Sequence, residues 1–521
     1  MVMTHSLGKK IGIASLILIT SIFLSRIIGL FREMAVAYVG GANLSVDAYK
    51  TAFMIPDIFN HIAASGFLSV TFIPIFSAYL SRDSEKNGWK IFNIILNSFG
   101  AMLLILVVIG MIFTPEFVDI VARGKDDPEF RSQVVRMTRI ILPAQLFHLT
   151  GGLFMAVQYA KERFLIPALS PLIYSLGIII GGLVLGRLIG MEGFCWGVLA
   201  GAFLGPFLLQ MWGARRVGMK YSLCFGLHHP DFVQYLRLTV PLMFGLTMMF
   251  SMEIFIKYFG NYLSPGTVAA LDYAKIVMLI PAGLFGQAVG IASFPFMARL
   301  AIENRITEMN RLINTALRYL ALVIPISIIM IIVRNELVQI LLERGKFDAA
   351  DTTLTAGILV FLLPCAFAVT SYTVVVRAYY AMQNTLFPAI FVSIAVLCSL
   401  PVYWYAMQWM GAHGIALAVS ISVISQVVLL YALWNRRTNN RGSYGVFHLY
   451  AKTVGISVAL GILAEWFRRW AFAGSESIGF AKALGICCVV GIGYSLSFIG
   501  IAYLMNIEEV KTYIHKVTRR T

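Results

Sequence analysis

Ionisable side chains occur in this sequence where almost everything around them is apolar. Arg26, Arg32 and Glu33 lie in one long apolar run, and Asp47, Lys50 and Asp57 lie in the next. Glu253 and Lys257, then Asp272 and Lys275, occupy two later runs, and Arg377 sits in another. A charge at the centre of a bilayer costs about 2.5–3.5 kcal/mol on insertion scales, so such residues face a cavity or a partner. Their types fit ion pairing and anion binding, not bond-making. Asp47–Lys50 and Asp272–Lys275 are spaced i,i+3 and Glu253–Lys257 i,i+4, which permits neutralisation within one helix. That explanation leaves a cation over, because Glu33 can neutralise only one of Arg26 and Arg32. A surplus arginine at membrane depth suits a pyrophosphate, whose oxygens accept paired hydrogen bonds from its planar fork.

Signals for catalysis are missing from the sequence. It holds no G-x-x-x-x-G-K-[ST], no H-E-x-x-H and no G-x-S-x-G. His228-His229 reads as a solvated turn. Lys125-Asp126-Asp127-Pro128 reads as an exposed helix-start loop, the competing reading being the acidic pair of a membrane glycosyltransferase. Cys195, Cys224, Cys365, Cys398, Cys487 and Cys488 form no C-x-x-C and read as small apolar residues. No enzymatic activity, cofactor, metal or nucleic-acid partner is expected.

The elements that position these charges follow from composition. The chain has 521 residues, 59% hydrophobic and only 13% charged, with a mean hydropathy of +0.81. Soluble domains carry about 25% charge, so this chain cannot cover its surface in water. It is a polytopic membrane protein. The net charge of +16 comes from 41 Lys and Arg against 25 Asp and Glu; the basic residues fall mostly in short segments between apolar runs, as the positive-inside bias requires. Lys9-Lys10 and the stretch after it look like a signal peptide, but no small-residue cleavage site follows and the apolar pattern runs on to Val39. It reads as a retained first span.

The expected fold is an all-α integral membrane protein with fourteen transmembrane helices. The spans fall near 11–39, 46–80, 91–113, 133–159, 164–186, 191–213 and 231–259, then near 267–298, 312–333, 353–382, 386–409, 412–434, 447–470 and 480–505. With both termini cytoplasmic, the inside segments hold 21 Lys and Arg against nine outside, and an odd count would spoil that bias. Pro56, Pro74, Pro143, Pro241, Pro281, Pro295, Pro364 and Pro388 fall within spans, where bent or broken helices are tolerated only if the freed backbone faces protein or a water-filled cavity.

An internal repeat carries the charges. Asp47-Ala-Tyr-Lys50-Thr-Ala-Phe-Met-Ile-Pro56 reads like Asp272-Tyr-Ala-Lys275-Ile-Val-Met-Leu-Ile-Pro281, 225 residues later, and the same offset pairs Arg32 with Lys257. Weak internal symmetry of this kind marks duplicated transporter halves. An even number of intervening spans makes the repeat parallel. The expected organisation is two six-helix lobes in a parallel pseudo-twofold repeat, 1–225 and 226–440, with two additional helices and a basic tail in 441–521.

Ser25-Arg26-Ile-Ile-Gly29-Leu-Phe-Arg32-Glu33, with Asp47-Ala48 and Pro56, resembles the MurJ (MviN) family of lipid II flippases, within the multidrug/oligosaccharidyl-lipid/polysaccharide exporter superfamily. The resemblance continues through Leu284-Phe285-Gly286-Gln287-Ala288-Val289-Gly290 and Arg377-Ala-Tyr-Tyr-Ala381. It implies two six-helix lobes around a central cationic cavity, and two C-terminal helices that help form a groove for a lipid tail. It also implies a bacterial inner-membrane location and lipid II, an undecaprenyl-diphosphate-linked peptidoglycan precursor, as cargo. Arg26, Arg32 and Asp47 match family functional positions; the repeat adds Lys50, Lys257 and Lys275, and Arg377 completes the expected substrate-binding set. Glu253 and Asp272 are candidates for a coupling-ion site, and a monomer is expected. The sequence departs from the family pattern at Asn60-His61, Ala64-Ser65-Gly66 and Ile276.

The departures at Asn60 and Ile276 lean toward the competing cargo, another undecaprenyl-diphosphate-linked oligosaccharide such as an exopolysaccharide or O-antigen unit. A drug exporter would carry acids, not surplus arginines, in its N-terminal half. A scaffold would not place charges at membrane depth twice at one offset.

Overall fold

The computed structural model describes residues 2–63, 71–82, 84–249, 251–472, 479–509 and 511. The Ala64-Ser65-Gly66 element and the tail from residue 512 lie outside the described residues, as do the side chains of His61, Pro241, Leu284, Gln287 and Ala288. Among the described residues there is no strand. In lipid every backbone N–H and C=O must be satisfied within the segment, which leaves helices as the form for these apolar runs. Nine helices among the described residues are long and apolar enough to cross a membrane. The chain forms two compact units, residues 1–269 with 344–347, and residues 270–343 with 348–521.

In the first unit, helix Val2–Gly40 stops at Gly41, whose φ of 72° ends the right-handed run. Asn43 then joins two helix ends. Its amide donates to the Gly40 carbonyl at 2.7 Å, and its side-chain oxygen accepts from the Val46 N–H at 3.1 Å to start Leu44–Ala52. The helix breaks at Phe53 before resuming as Met54–Ala63. Pro56 causes the break, because its ring displaces the carbonyl four residues back. That carbonyl belongs to Ala52, and the Thr138 hydroxyl donates to it at 3.2 Å. The break expected at Pro56 is therefore present, and its freed acceptor is satisfied by protein.

Two of the other prolines separate helices in the same way, and three do not. Pro143 separates Pro128–Ile141 from Ala144–Ala160, and Pro364 sits in a tight turn between Ala349–Leu362 and Ala366–Ala381. Pro388 falls in the first turn of its helix, where no N–H is needed, and Pro281 and Pro295 lie inside the unbroken helix Thr267–Ile302. Pro206, not singled out from sequence, sits in a π-helical stretch, Phe203–Leu209, between Glu192–Ala202 and Gln210–Arg216.

Helix Leu165–Ile189 packs on Glu192–Ala202 backbone to backbone. A Cβ at Gly177 would collide with Gly201, and one at Gly181 with Gly197. Small residues four apart allow this approach, which gains dispersion contacts where lipid offers no hydrophobic drive.

In the second unit, Leu386–Thr438 is two helical runs joined at Gly411, with φ 58° and ψ −130°. Gly414 lies so close to the Ala406 carbonyl that a Cβ would collide with it, whereas a continuous helix would hold them ~12 Å apart. The chain turns back on itself, at the break expected between 409 and 412. Tyr379, Trp434 and Leu430 fill one core of this unit, where the Trp434 indole donates to Asn310 at 2.9 Å. Helices Ser443–Ala471 and Phe480–Leu504 pack on each other around Ile456, Ile486 and Tyr494.

Candidate functional site

One backbone feature recurs at the offset of the sequence repeat. Gly41 and Gly266, 225 residues apart, both hold positive φ, 72° and 87°. Each turns the chain from one charged helix into the next. The two corners meet within the first unit, and a Cβ at Gly266 would collide with the Ala42 carbonyl oxygen. Gly266→Ala is therefore expected to destabilise the protein, by about 1–2 kcal/mol for the left-handed backbone alone and more from the collision. A thermal melt in detergent checks this; an unchanged midpoint would mean the corner is not tightly held.

Asp47 sits beneath these corners with no exposed surface. Its carboxylate accepts from Lys125 Nζ at 2.9 Å, from the Gly266 N–H at 2.7 Å and from the Ala269 N–H at 2.9 Å. It caps helix Thr267–Ile302 from a distant part of the chain, where free N–H groups and the positive end of the helix dipole favour an anion. Asp47 pairs with Lys125, not with Lys50 in its own helix. The expectation that Asp47 binds cargo meets a carboxylate already filled by three donors.

Lys125 corrects the reading of 125–128 as an exposed loop. Asp127 does start the next helix, accepting from the Glu129 and Phe130 N–H groups, but Lys125 is buried, 5.1 Å from the Phe130 ring centre. Sequence reasoning missed it, although a signal was there: Arg123-Gly124-Lys125-Asp126-Asp127 recurs as Arg344-Gly345-Lys346-Phe347-Asp348. Gly124 lies against the Tyr262 ring, Gly345 lies against Tyr38, and the Lys346 N–H donates to the Tyr38 carbonyl at 3.0 Å. Asp348, like Asp127, caps a helix start.

The cations of the first helix pair form a separate cluster. Glu33 accepts from Arg32 Nε at 3.0 Å and Nη2 at 2.8 Å through one oxygen, and from Lys50 Nζ through the other. One buried carboxylate thus serves two cations. Lys50 is 5% exposed, whereas the Arg32 side chain keeps 31% of its surface; only Arg32 has room to bind anything else. Arg26 is exposed and, among the described residues, has no ion-pair or hydrogen-bond partner.

At the matched position, Lys257 is buried and pairs with Asp57 at 3.2 Å, not with Glu253 one turn before it. Glu253 is half-buried on Ser251–Gly260. In the second unit, Asp272 and Lys275 do form the i,i+3 pair, at 2.7 Å, and both are buried. Arg377 is half-buried beside Thr373 and Gly290, where a Cβ on Gly290 would stand 3.3 Å from its Nη1. Among the described residues it has no ion-pair partner. Arg26, Arg32 and Arg377 are thus the expected site residues with guanidinium surface to offer, while the lysines and Asp47 are held in internal pairs.

Comparison with known proteins extends this picture. Residues 36–479 match the family described as lipid II flippase MurJ. A probable lipid II flippase MurJ of Borreliella burgdorferi is 24% identical over 511 residues, covering 96% of this chain and 98% of that relative. Among solved structures, a lipid II flippase MurJ in an inward closed conformation aligns with a TM-score of 0.77 at 23% identity, over 94% of this chain and all of that one. An inward-facing multidrug transporter of the MATE family aligns with a TM-score of 0.66 at 12% identity, over 79% and 94%.

Proposed function

Because the chain belongs to the MurJ family of lipid II flippases, we propose that it carries lipid II from the cytoplasmic to the periplasmic leaflet by alternating access, without covalent chemistry. The observation that carries this reading is a surplus of arginine surface on charged apolar helices, with Arg26 unpaired among the described residues and Arg32 sharing Glu33 with Lys50. A guanidinium grips pyrophosphate oxygens in pairs, and its charge offsets the loss of water around that anion. Arg377 is the cation proposed to serve the same headgroup from the later repeat. Lys50, Lys257 and Lys275 add positive potential, and Asp47 acts as a positioning residue through Lys125 and helix Thr267–Ile302.

Fourteen crossings are proposed for this role. They would comprise the nine apolar helices, with Leu386–Thr438 counted as two, and four charge-bearing stretches built on Val2–Gly40, on Leu44–Ala52, Met54–Ala63 and Ile73–Ser81, on Pro230–Met249 and Ser251–Gly260, and on Thr267–Ile302. The repeat-defined lobes, 1–225 and 226–440, are the proposed moving parts, with 441–521 supplying two further helices. Both termini are placed in the cytoplasm of a bacterial inner membrane, and the protein is taken as a monomer. Net positive charge makes the membrane potential a driver of resetting, at about 2.3 kcal/mol per charge per 100 mV; Glu253 and Asp272 are the carboxylates proposed for any coupled ion.

Reporters at Asn439, an exposed left-handed helix end, and after Thr521 are expected to read cytoplasm. A periplasmic signal from either breaks the fourteen-crossing topology. The function itself is tested by complementing a strain depleted of its lipid II flippase. Rescue of growth is expected; failure of a membrane-inserted chain to rescue, with rescue of an exopolysaccharide flippase strain instead, would move the cargo to another polyprenyl-diphosphate-linked oligosaccharide.

A further inference from the structure

Away from these charges, three helices of the first unit enclose a slot of about 560 Å³, within the size range of ligand sites. One wall is the stripe Phe207, Met211 and Arg215, four residues apart, which begins in the π-helical stretch at Pro206. Such stretches re-aim side chains and are frequent at functional sites. A second wall is Leu146, Thr150 and Phe154, with the same spacing, and the Thr150 hydroxyl is turned to its own helix, donating to the Leu146 carbonyl. The third is the helix Glu85–Ile112, where Gly100 leaves a trough between Leu96 and Leu104. A Cβ at Gly100 would meet nothing within 4 Å.

The polar groups at the mouth are already satisfied, with one exception. The Asn97 amide donates to the Ser222 and Cys224 carbonyls at 3.0 Å each, and Tyr221 Oη donates to its side-chain oxygen at 3.1 Å. Arg215 is exposed and, among the described residues, has no ion-pair or hydrogen-bond partner. Its neighbour Arg216 is stacked on Trp212 at 3.8 Å from the ring centre, and a Trp with basic residues marks headgroup depth in a membrane. A slot that wants hydrocarbon below and one anionic group at its rim has the chemistry of a phospholipid.

We propose that this slot binds one anionic glycerophospholipid, with an acyl chain lying along Gly100 and the phosphate on Arg215. The residues are separate from Arg26, Arg32 and Arg377, so the site is a place for a resident membrane lipid and not for the transported headgroup. Basic pockets between cytoplasmic helix ends are a recurrent form of lipid recognition.

The test uses the purified full chain in phosphatidylcholine nanodiscs containing a trace of phosphatidylglycerol with a photoactivatable acyl chain, followed by peptide mapping. Labelling is expected on residues 96–104 and 207–225. Excess phosphatidylglycerol should compete roughly fivefold better than excess phosphatidylcholine, the effect of about one interfacial charge. Arg215→Gln should erase that preference while leaving the label in place. Gly100→Leu builds into the trough from a position where a Cβ meets nothing within 4 Å, and should reduce the label to background in a protein that remains monodisperse. Equal competition by the two lipids, or full labelling of Gly100→Leu, overturns the proposal. So does stronger displacement by undecaprenyl phosphate than by phosphatidylglycerol, which would give the slot to the tail of the cargo.

Discussion

Asp47→Ala is expected to cost the protein about 3–5 kcal/mol, the usual penalty for removing one partner of a buried ion pair. The change strands the Lys125 ammonium in a buried site and leaves the Gly266 and Ala269 N–H groups without their acceptor. Most of the penalty should therefore lie in the uncompensated lysine. Lys125→Met alone is also expected to destabilise, because it leaves Asp47 as a buried anion held only by two N–H groups. The double variant should recover part of the loss, since neither charge then remains; the two N–H groups keep the recovery incomplete. Melting of the four proteins in detergent gives the coupling directly. A double variant no more stable than Asp47→Ala would show that the pair is not the source of the loss. Stable but inactive Asp47→Asn would return Asp47 to direct contact with cargo.

Arg26→Ala and Arg32→Ala are expected to have the opposite profile, with transport lost and stability kept. Among the described residues Arg26 has no partner to strand. Removing Arg32 leaves Glu33 still paired with Lys50, so the buried carboxylate keeps a counter-charge. Each arginine that grips pyrophosphate contributes about 1.5–3 kcal/mol, the range for a hydrogen bond to a charged group. Loss of either should lower transport roughly tenfold to a hundredfold at unchanged abundance. Lysine at position 26 should restore only part of it, because an ammonium keeps the charge and loses the paired geometry. Wild-type transport in both alanine variants would remove the pyrophosphate-gripping role.

The sequence made the architecture readable because a membrane restricts the choices. Long apolar runs have one way to satisfy their backbone, so helix positions, the turn at Gly411 and the break at Pro56 all follow from local residue types. The offset of the repeat was equally readable, and it reappears in the matched positive φ values of Gly41 and Gly266. Charge partners were not readable. A single sequence offers only neighbours three or four residues away; of the membrane-depth pairs it suggested, Asp272–Lys275 forms at 2.7 Å, while Asp47 and Lys257 pair elsewhere. Asp47 reaches a lysine 78 residues away, and Lys257 an aspartate 200 residues away. Those choices come from packing, where burial makes a charge take the nearest opposite one whatever its place in the chain. The recurring Arg-Gly-Lys-x-Asp segment was visible, but its meaning needed the fold, because only there does Lys125 meet Asp47.

In the proposed mechanism, arginine surface left free in the membrane helices grips the pyrophosphate of the lipid as it crosses the bilayer. The most direct measurement reconstitutes the purified protein in liposomes containing fluorescent lipid II and follows its arrival in the opposite leaflet with an impermeant quencher. Translocation by the wild-type chain, lost in Arg26→Ala and absent for a lipid of the same tail with a neutral headgroup, is the predicted result. Equal movement of the neutral lipid, or full movement by the Arg26→Ala protein, would contradict it.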